Sequence, residues 1–112
     1  SFKINKSQKR LYSGGSIMAI FQPITTQAAL GVNTGAASNV GSSEFVRLHN
    51  TAATGTEYLV TLEESGGDDI GTFSLDGSDT VIIRKAKTDK LFAGNAAVLA
   101  CGVSLCSIRK KV

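Results

Sequence analysis

Few residues in this chain could do chemistry. His49 is the only histidine, and Cys101 and Cys106 are the only cysteines. A Ser-His-Asp or Cys-His arrangement would have to use His49 as its base. No nucleophile elbow lies near it, so His49 reads as a surface or satisfied side chain on a strand. The cysteines are five apart on one predicted strand. Odd spacing sends them to opposite faces, so no intrachain disulfide is expected. Two cysteines and one histidine also fall short of a structural zinc site within one chain. Cys101 is expected to be buried as a small hydrophobe, and Cys106 to be partly exposed.

Two charged clusters remain. Glu63, Glu64, Asp68 and Asp69 flank Gly66-Gly67. Carboxylates around a turn can hold calcium, but the spacing of a helix-loop-helix calcium loop is absent. Asp and Gly are also the ordinary residues of a hairpin turn. Arg84, Lys85 and Lys87, with Lys90, form the basic cluster of the domain. They can meet phosphate or an acidic partner surface, or simply solvate a strand end. The glycines at 31, 35 and 41 do not follow a strand into a helix and lack a phosphate-loop lysine. No catalytic, metal or cofactor site is assigned, and the chain is expected not to be an enzyme.

The elements that position these residues are short strands. Residues 57–86 read EYLVTLEESGGDDIGTFSLDGSDTVIIRKA. Three apolar-rich runs of period two are cut by Gly66-Gly67-Asp68-Asp69 and Asp76-Gly77-Ser78, which predicts an antiparallel meander. Tyr58, Val60 and Leu62 share one face, as do Phe73 with Leu75 and Val81 with Ile83; Ile82 points the other way. Glu44–Asn50 is a further strand, with Val46 and Leu48 inward and Phe45, Arg47 and His49 opposite. Leu91-Phe92-Ala93 is a short apolar piece, and the last strand runs from about Ala97 to Ile108. Its expected inward set is Leu99, Cys101, Val103 and Leu105. About seven short strands at this spacing predict an all-β fold, a single antiparallel β-sandwich with an extended N-terminal segment.

At 112 residues the chain is one domain at most. Twelve glycines, one proline and a low charged fraction suit a turn-rich β fold. The net charge of +3 comes from Lys3, Lys6, Lys9 and Arg10; from Met18 onward eight Lys/Arg face nine Asp/Glu. The basic pI belongs to the leader, so no specific nucleic-acid partner is inferred from it. Residues 1–17 are polar and basic, and read as a disordered or upstream-translated leader, the rival reading being a flexible basic arm. Residues 18–42 carry no charge at all. They read either as a first edge strand, Ile24–Leu30, plus a surface loop, or as a sticky arm laid on a neighbouring subunit. On the second reading Ile20, Phe21, Ile24 and Leu30 are contact residues, as are Arg84, Lys85, Lys87 and Lys90 of the basic cluster. Residues 43–112 are the expected sandwich. No apolar run reaches transmembrane length.

The stretch EFVRLHNTAATGTEYLVTLEESGGDDIGTFSLDGSDTVIIRKAKTDKLFAGNAAVLACGVSL carries a resemblance. It resembles small β-sandwich structural proteins of tailed bacteriophages, particularly those of marine and cyanobacterial hosts. The shared pattern is a strand ending in Asn, a Thr/Gly turn, an apolar strand, a Gly-rich hairpin with GTFSL, then VIIRKAKTDKLFA before a final apolar strand. The resemblance covers about residues 43–105 and rests on packing and turn motifs. It implies a virion component, a head decoration (cement) or fibre-associated protein, assembled in the bacterial host cytoplasm. It also implies self-association, with a trimer as first guess, and contact with the major capsid protein or other virion proteins, and it brings no catalytic residues. The competing reading is a ligand- or carbohydrate-binding sandwich. The absence of Trp and the two Tyr disfavour a sugar platform, which uses flat rings.

Overall fold

The computed structural model describes the backbone of residues 17–109 and the side chains of residues 20–105. Residues 1–16 of the leader, the side chain of Cys106 and the tail from Lys110 lie outside the described residues, while Ile17 opens β1. Eight strands are seen: β1 (Ile17–Pro23), β2 (Ala28–Ala29), β3 (Phe45–Asn50), β4 (Tyr58–Glu63), β5 (Asp69–Leu75), β6 (Thr80–Arg84), β7 (Lys90–Ala93) and β8 (Val98–Arg109). A single 3-10 turn, Thr34–Ala36, is the only helical element among the described residues. One sheet has the order β1-β8-β3-β6, with β2 also paired to β8; the other has the order β5-β4-β7. The fold is the expected antiparallel β-sandwich; β1 (Ile17–Pro23) is the strand the sequence did not announce, and of the edge strand offered over Ile24–Leu30 only β2 (Ala28–Ala29) forms.

Contacts divide the described chain into two units. One is residues 23–104; the other combines residues 17–22 with 105–109. The larger unit holds the core. Val46 and Leu48 of β3, Val98 and Ala100 of β8, Val60 of β4, Leu75 of β5 and Leu91 and Ala93 of β7 are all buried there. Tyr58, Leu62, Phe73, Val81 and Ile83 pack against them, on the faces that period two assigns. Burying a leucine such as Leu48 or Leu91 contributes about 1.5–3 kcal/mol, which is why alternation alone positions β3 and β4.

The meander expected over residues 57–86 is corrected. β4 and β5 form a hairpin, from Tyr58 opposite Leu75 to Glu63 opposite Asp69, with Ile70 bulged between them. β6, however, pairs with β3 in the other sheet. The Asp76-Gly77-Ser78 turn therefore carries the chain from sheet to sheet. Asn50, fully buried, fastens this crossing. Its Nδ2 donates to the carbonyls of Leu75 (2.8 Å) and Thr56 (3.0 Å), and its Oδ1 accepts from the Ala52 amide (2.9 Å). Its backbone carbonyl accepts from the Ser78 amide at 2.8 Å. A buried amide so fully paired fixes the path of both loops it touches.

The inward set of the last strand is also corrected. Val46 faces Gly102, Leu48 faces Ala100 and Asn50 faces Val98. Since Val46 and Leu48 point inward, so do Val98, Ala100 and Gly102, and the phase is one residue off the expected one. Leu99, Cys101 and Val103 share the opposite face with His49, Arg47 and Phe45, and Leu105 is exposed. Both faces of β8 are apolar, so composition does not choose between them. Close approach does: a Cβ at Gly102 would overlap the buried Ser43 hydroxyl. Cys101 is nonetheless buried and free, with its thiol donating to the Thr25 carbonyl at 3.1 Å. Cys101→Ser should therefore cost only about 1 kcal/mol in a urea melt, because the hydroxyl inherits that acceptor.

Residues 24–42 belong to the sandwich. Ala28 and Ala29 pair with Ala100 and Leu99. The Ile24 amide donates to the Gly102 carbonyl (2.8 Å) and the Leu30 amide to the Val98 carbonyl (3.0 Å). Leu30 and Val40 are buried in the core. Ser38 and Leu91 exchange backbone hydrogen bonds of 3.0 and 2.8 Å, which seals the edge of β7. The edge strand offered for Ile24–Leu30 shrinks to Ala28–Ala29, but the stretch is tied to β8 by backbone hydrogen bonds, and the larger compact unit spans residues 23–104 rather than starting at 43. Val40, Gly41 and Ser42 have φ of 53°, 66° and 59°, a tight left-handed turn into β3.

Candidate interaction surface

The residues expected to make contacts are not all available for it. In the smaller unit, Ile20 (44%) and Phe21 (41%) of β1 are exposed. In the larger unit Ile24 is 55% exposed, just after β1. Leu30 is a correction: it is a core residue, 4% exposed, and offers nothing to a partner. Among the described residues, β5 pairs only with β4, and β6 only with β3. Each leaves an open edge. β5 is interrupted by the bulged Ile70 beside Asp68 and Asp69, a device that disfavours strand addition. Arg84 lies on edge strand β6 and Lys90 on edge strand β7.

The basic cluster is split by its backbone. β6 ends at Arg84, and the Lys85 amide donates to the Glu44 carbonyl at 2.8 Å. The chain then closes a turn in which the Asp89 amide donates to the Ala86 carbonyl (3.0 Å) and Asp89 Oδ2 accepts from the Ala86 amide (3.2 Å). Arg84 stays exposed and its Nε donates to Glu44 Oε2 at 3.2 Å. Lys87 is exposed and Lys90 half-buried. Lys85 is a second correction: it is 4% exposed rather than solvated. Its Nζ donates to the carbonyls of Ala86 (3.2 Å) and Lys87 (3.5 Å). Glu44, Arg84, Lys85, Ala86 and Lys87 line an open cavity of about 440 Å³.

Burial lowers the pKa of Lys85 below its ordinary 10.5, and Asp89 opposes that only in part. Glu44, Arg84, Lys87 and Asp89 are the other charged groups around this amine. A base whose folded pKa is lowered binds fewer protons folded than unfolded. Stability then rises with pH from that lowered pKa up to 10.5. Measured against Lys85→Met, which keeps the buried stem, the wild type should gain stability as pH climbs through that window. A constant difference across the window would remove the effect.

Glu63 was expected to flank an acidic turn. It is instead fully buried, accepting from Thr34 Oγ1 at 2.7 Å, while its Oε2 has no hydrogen-bond partner among the described residues. Turned under the hairpin, it does not point outward with Glu64, Asp68 and Asp69. Among the described residues no three His, Cys, Asp or Glu side chains converge in a way that could hold a metal ion. His49 Nδ1 lies 2.8 Å from Thr80 Oγ1, its neighbour across β3 and β6. No helix among the described residues is long and apolar enough to cross a membrane. No protein-family model, curated protein or solved structure matches the chain.

Proposed function

We propose that this chain is a non-enzymatic structural protein of a phage particle, a capsid decoration (cement) protein that adds a rigid sandwich to a symmetric assembly. The observation that carries this reading is β1. It lies in an uncharged stretch, falls in the smaller unit, and exposes Ile20 and Phe21. Exposed apolar strand residues are suited to burial against a second copy or a capsid surface. The resemblance over residues 43–105 supports the same reading. Its partners would be further copies of the chain, with a trimer as first expectation, and the major capsid or other virion proteins. Localisation to the virion follows from that proposal, without a role for nucleic acid or membrane. Sedimentation tests it: the full chain should run as a trimer and co-sediment with phage heads lacking their decoration protein. A monomer that never sediments with particles would sink it. The second reading, a ligand-binding sandwich that includes a fibre-associated role, has the cavity beside Lys85 in its favour.

A further inference from the structure

We propose that the cavity at the exit of β6 is an oxyanion site that takes a phosphate-sized dianion, free or on a phosphomonoester. Three cationic residues, Arg84, Lys85 and Lys87, line it with one acidic residue, Glu44. With Asp89 also beside the Lys85 amine, the cluster keeps an excess of one positive charge. The second described cavity, about 200 Å³ between Thr25, Leu30, Val40 and Ala100, has no charged lining at all.

Lys85 makes this more than a cluster of surface lysines. Its side chain is buried, and its amine is held in place by the carbonyls of Ala86 and Lys87. An ammonium has three N–H donors, so one remains for a ligand. Arg84 spends its Nε on Glu44, and its two terminal nitrogens carry no partner among the described residues. A planar guanidinium offers those nitrogens as a fork to one oxyanion. Burying a lysine amine with only neutral acceptors is costly. An anion in the cavity offsets that cost and favours the charged form, which burial disfavours. Glu44 works against the site, because it neutralises Arg84 and adds a negative charge to the lining. This inference does not depend on the assembly role proposed above.

The probe is inorganic phosphate, followed by amide chemical shifts of the full chain at constant ionic strength against chloride. A saturable shift confined to residues 44 and 84–89 is expected, with a Kd on the order of 1 mM. Lys85→Met should weaken it about tenfold, the loss of one charge-assisted hydrogen bond. Glu44→Gln should tighten it several-fold, a gain that no merely structural role of Glu44 would produce. If Lys85→Met does not fold, Arg84→Gln, altered at an exposed position, should show the weakening instead. Acetate at the same ionic strength should bind more weakly. A response equal to that of chloride, or an unchanged Kd in Glu44→Gln, overturns the proposal. So does acetate binding as tightly as phosphate, which would make the site a carboxylate pocket.

Discussion

Gly77→Ala should lower stability by about 3 kcal/mol or more, at the upper end of what overpacking costs. Gly77 sits where the chain leaves β5 for the opposite sheet and passes under the loop joining β3 to β4. A Cβ there would run into the Ala53 carbonyl and stand 2.8 Å from the Ala52 oxygen. Those are backbone atoms, and no side chain can rotate to make room. Nor can the loops separate cheaply. Asn50 holds both of them, and Asp76 Oδ1 accepts from the amides of Gly55 (3.0 Å) and Gly77 (2.8 Å). Moving either loop exposes or orphans several of these groups, each at a cost of about 1–3 kcal/mol. Gly66→Ala is the control, since a Cβ at Gly66 meets nothing within 4 Å. Urea melts of the two variants should differ in midpoint with little change in slope. If Gly77→Ala melts within about 0.5 kcal/mol of Gly66→Ala, which is the range of an ordinary surface change, the crossing is not a rigid staple.

The same crossing shows what the sequence could and could not carry. β3 and β4 are legible because one face of each is apolar and the other is not, so period two names the core directly. Asp76-Gly77-Ser78 is equally good chemistry for a hairpin and for an arch between sheets. What decides is Asn50, more than twenty residues upstream, and local turn rules cannot see it. β8 is apolar on both faces, so its phase is set by register against β3 and by the space that Ser43 takes beside Gly102. Lys85 and Glu63 escape for a shared reason. A charge in sequence reads as solvated; here a tight turn folds one inward, and Thr34 covers the other. The placement of Ile20, Phe21 and Ile24 is not legible in the sequence, because an uncharged stretch fits an edge strand as well as a partner surface.

Two truncations separate the sandwich from its proposed partner surface. A chain beginning at Ile24 loses β1 but keeps every core residue of the larger unit, and it should still fold. A chain beginning at Gly31 should not fold. It loses Leu30 from the core, β2 from the edge of β8, and the Thr25 hydroxyl that accepts from the Gly102 amide at 2.8 Å. The missing leucine alone costs about 2–5 kcal/mol, and a domain this small has about 5–15 kcal/mol in total. The uncovered edge of β8 adds unpaired amides to that loss and offers itself for aggregation. Circular dichroism and amide exchange on the two chains check the difference. If the chain from Gly31 keeps a cooperative melt, segment 24–30 is a removable arm after all. The chain from Ile24 bears on function: if β1 carries the assembly contact, it should run as a folded monomer that no longer joins particles. A folded trimer from that same chain would move the contact off Ile20 and Phe21, onto the open edge of β6 or elsewhere on the sandwich.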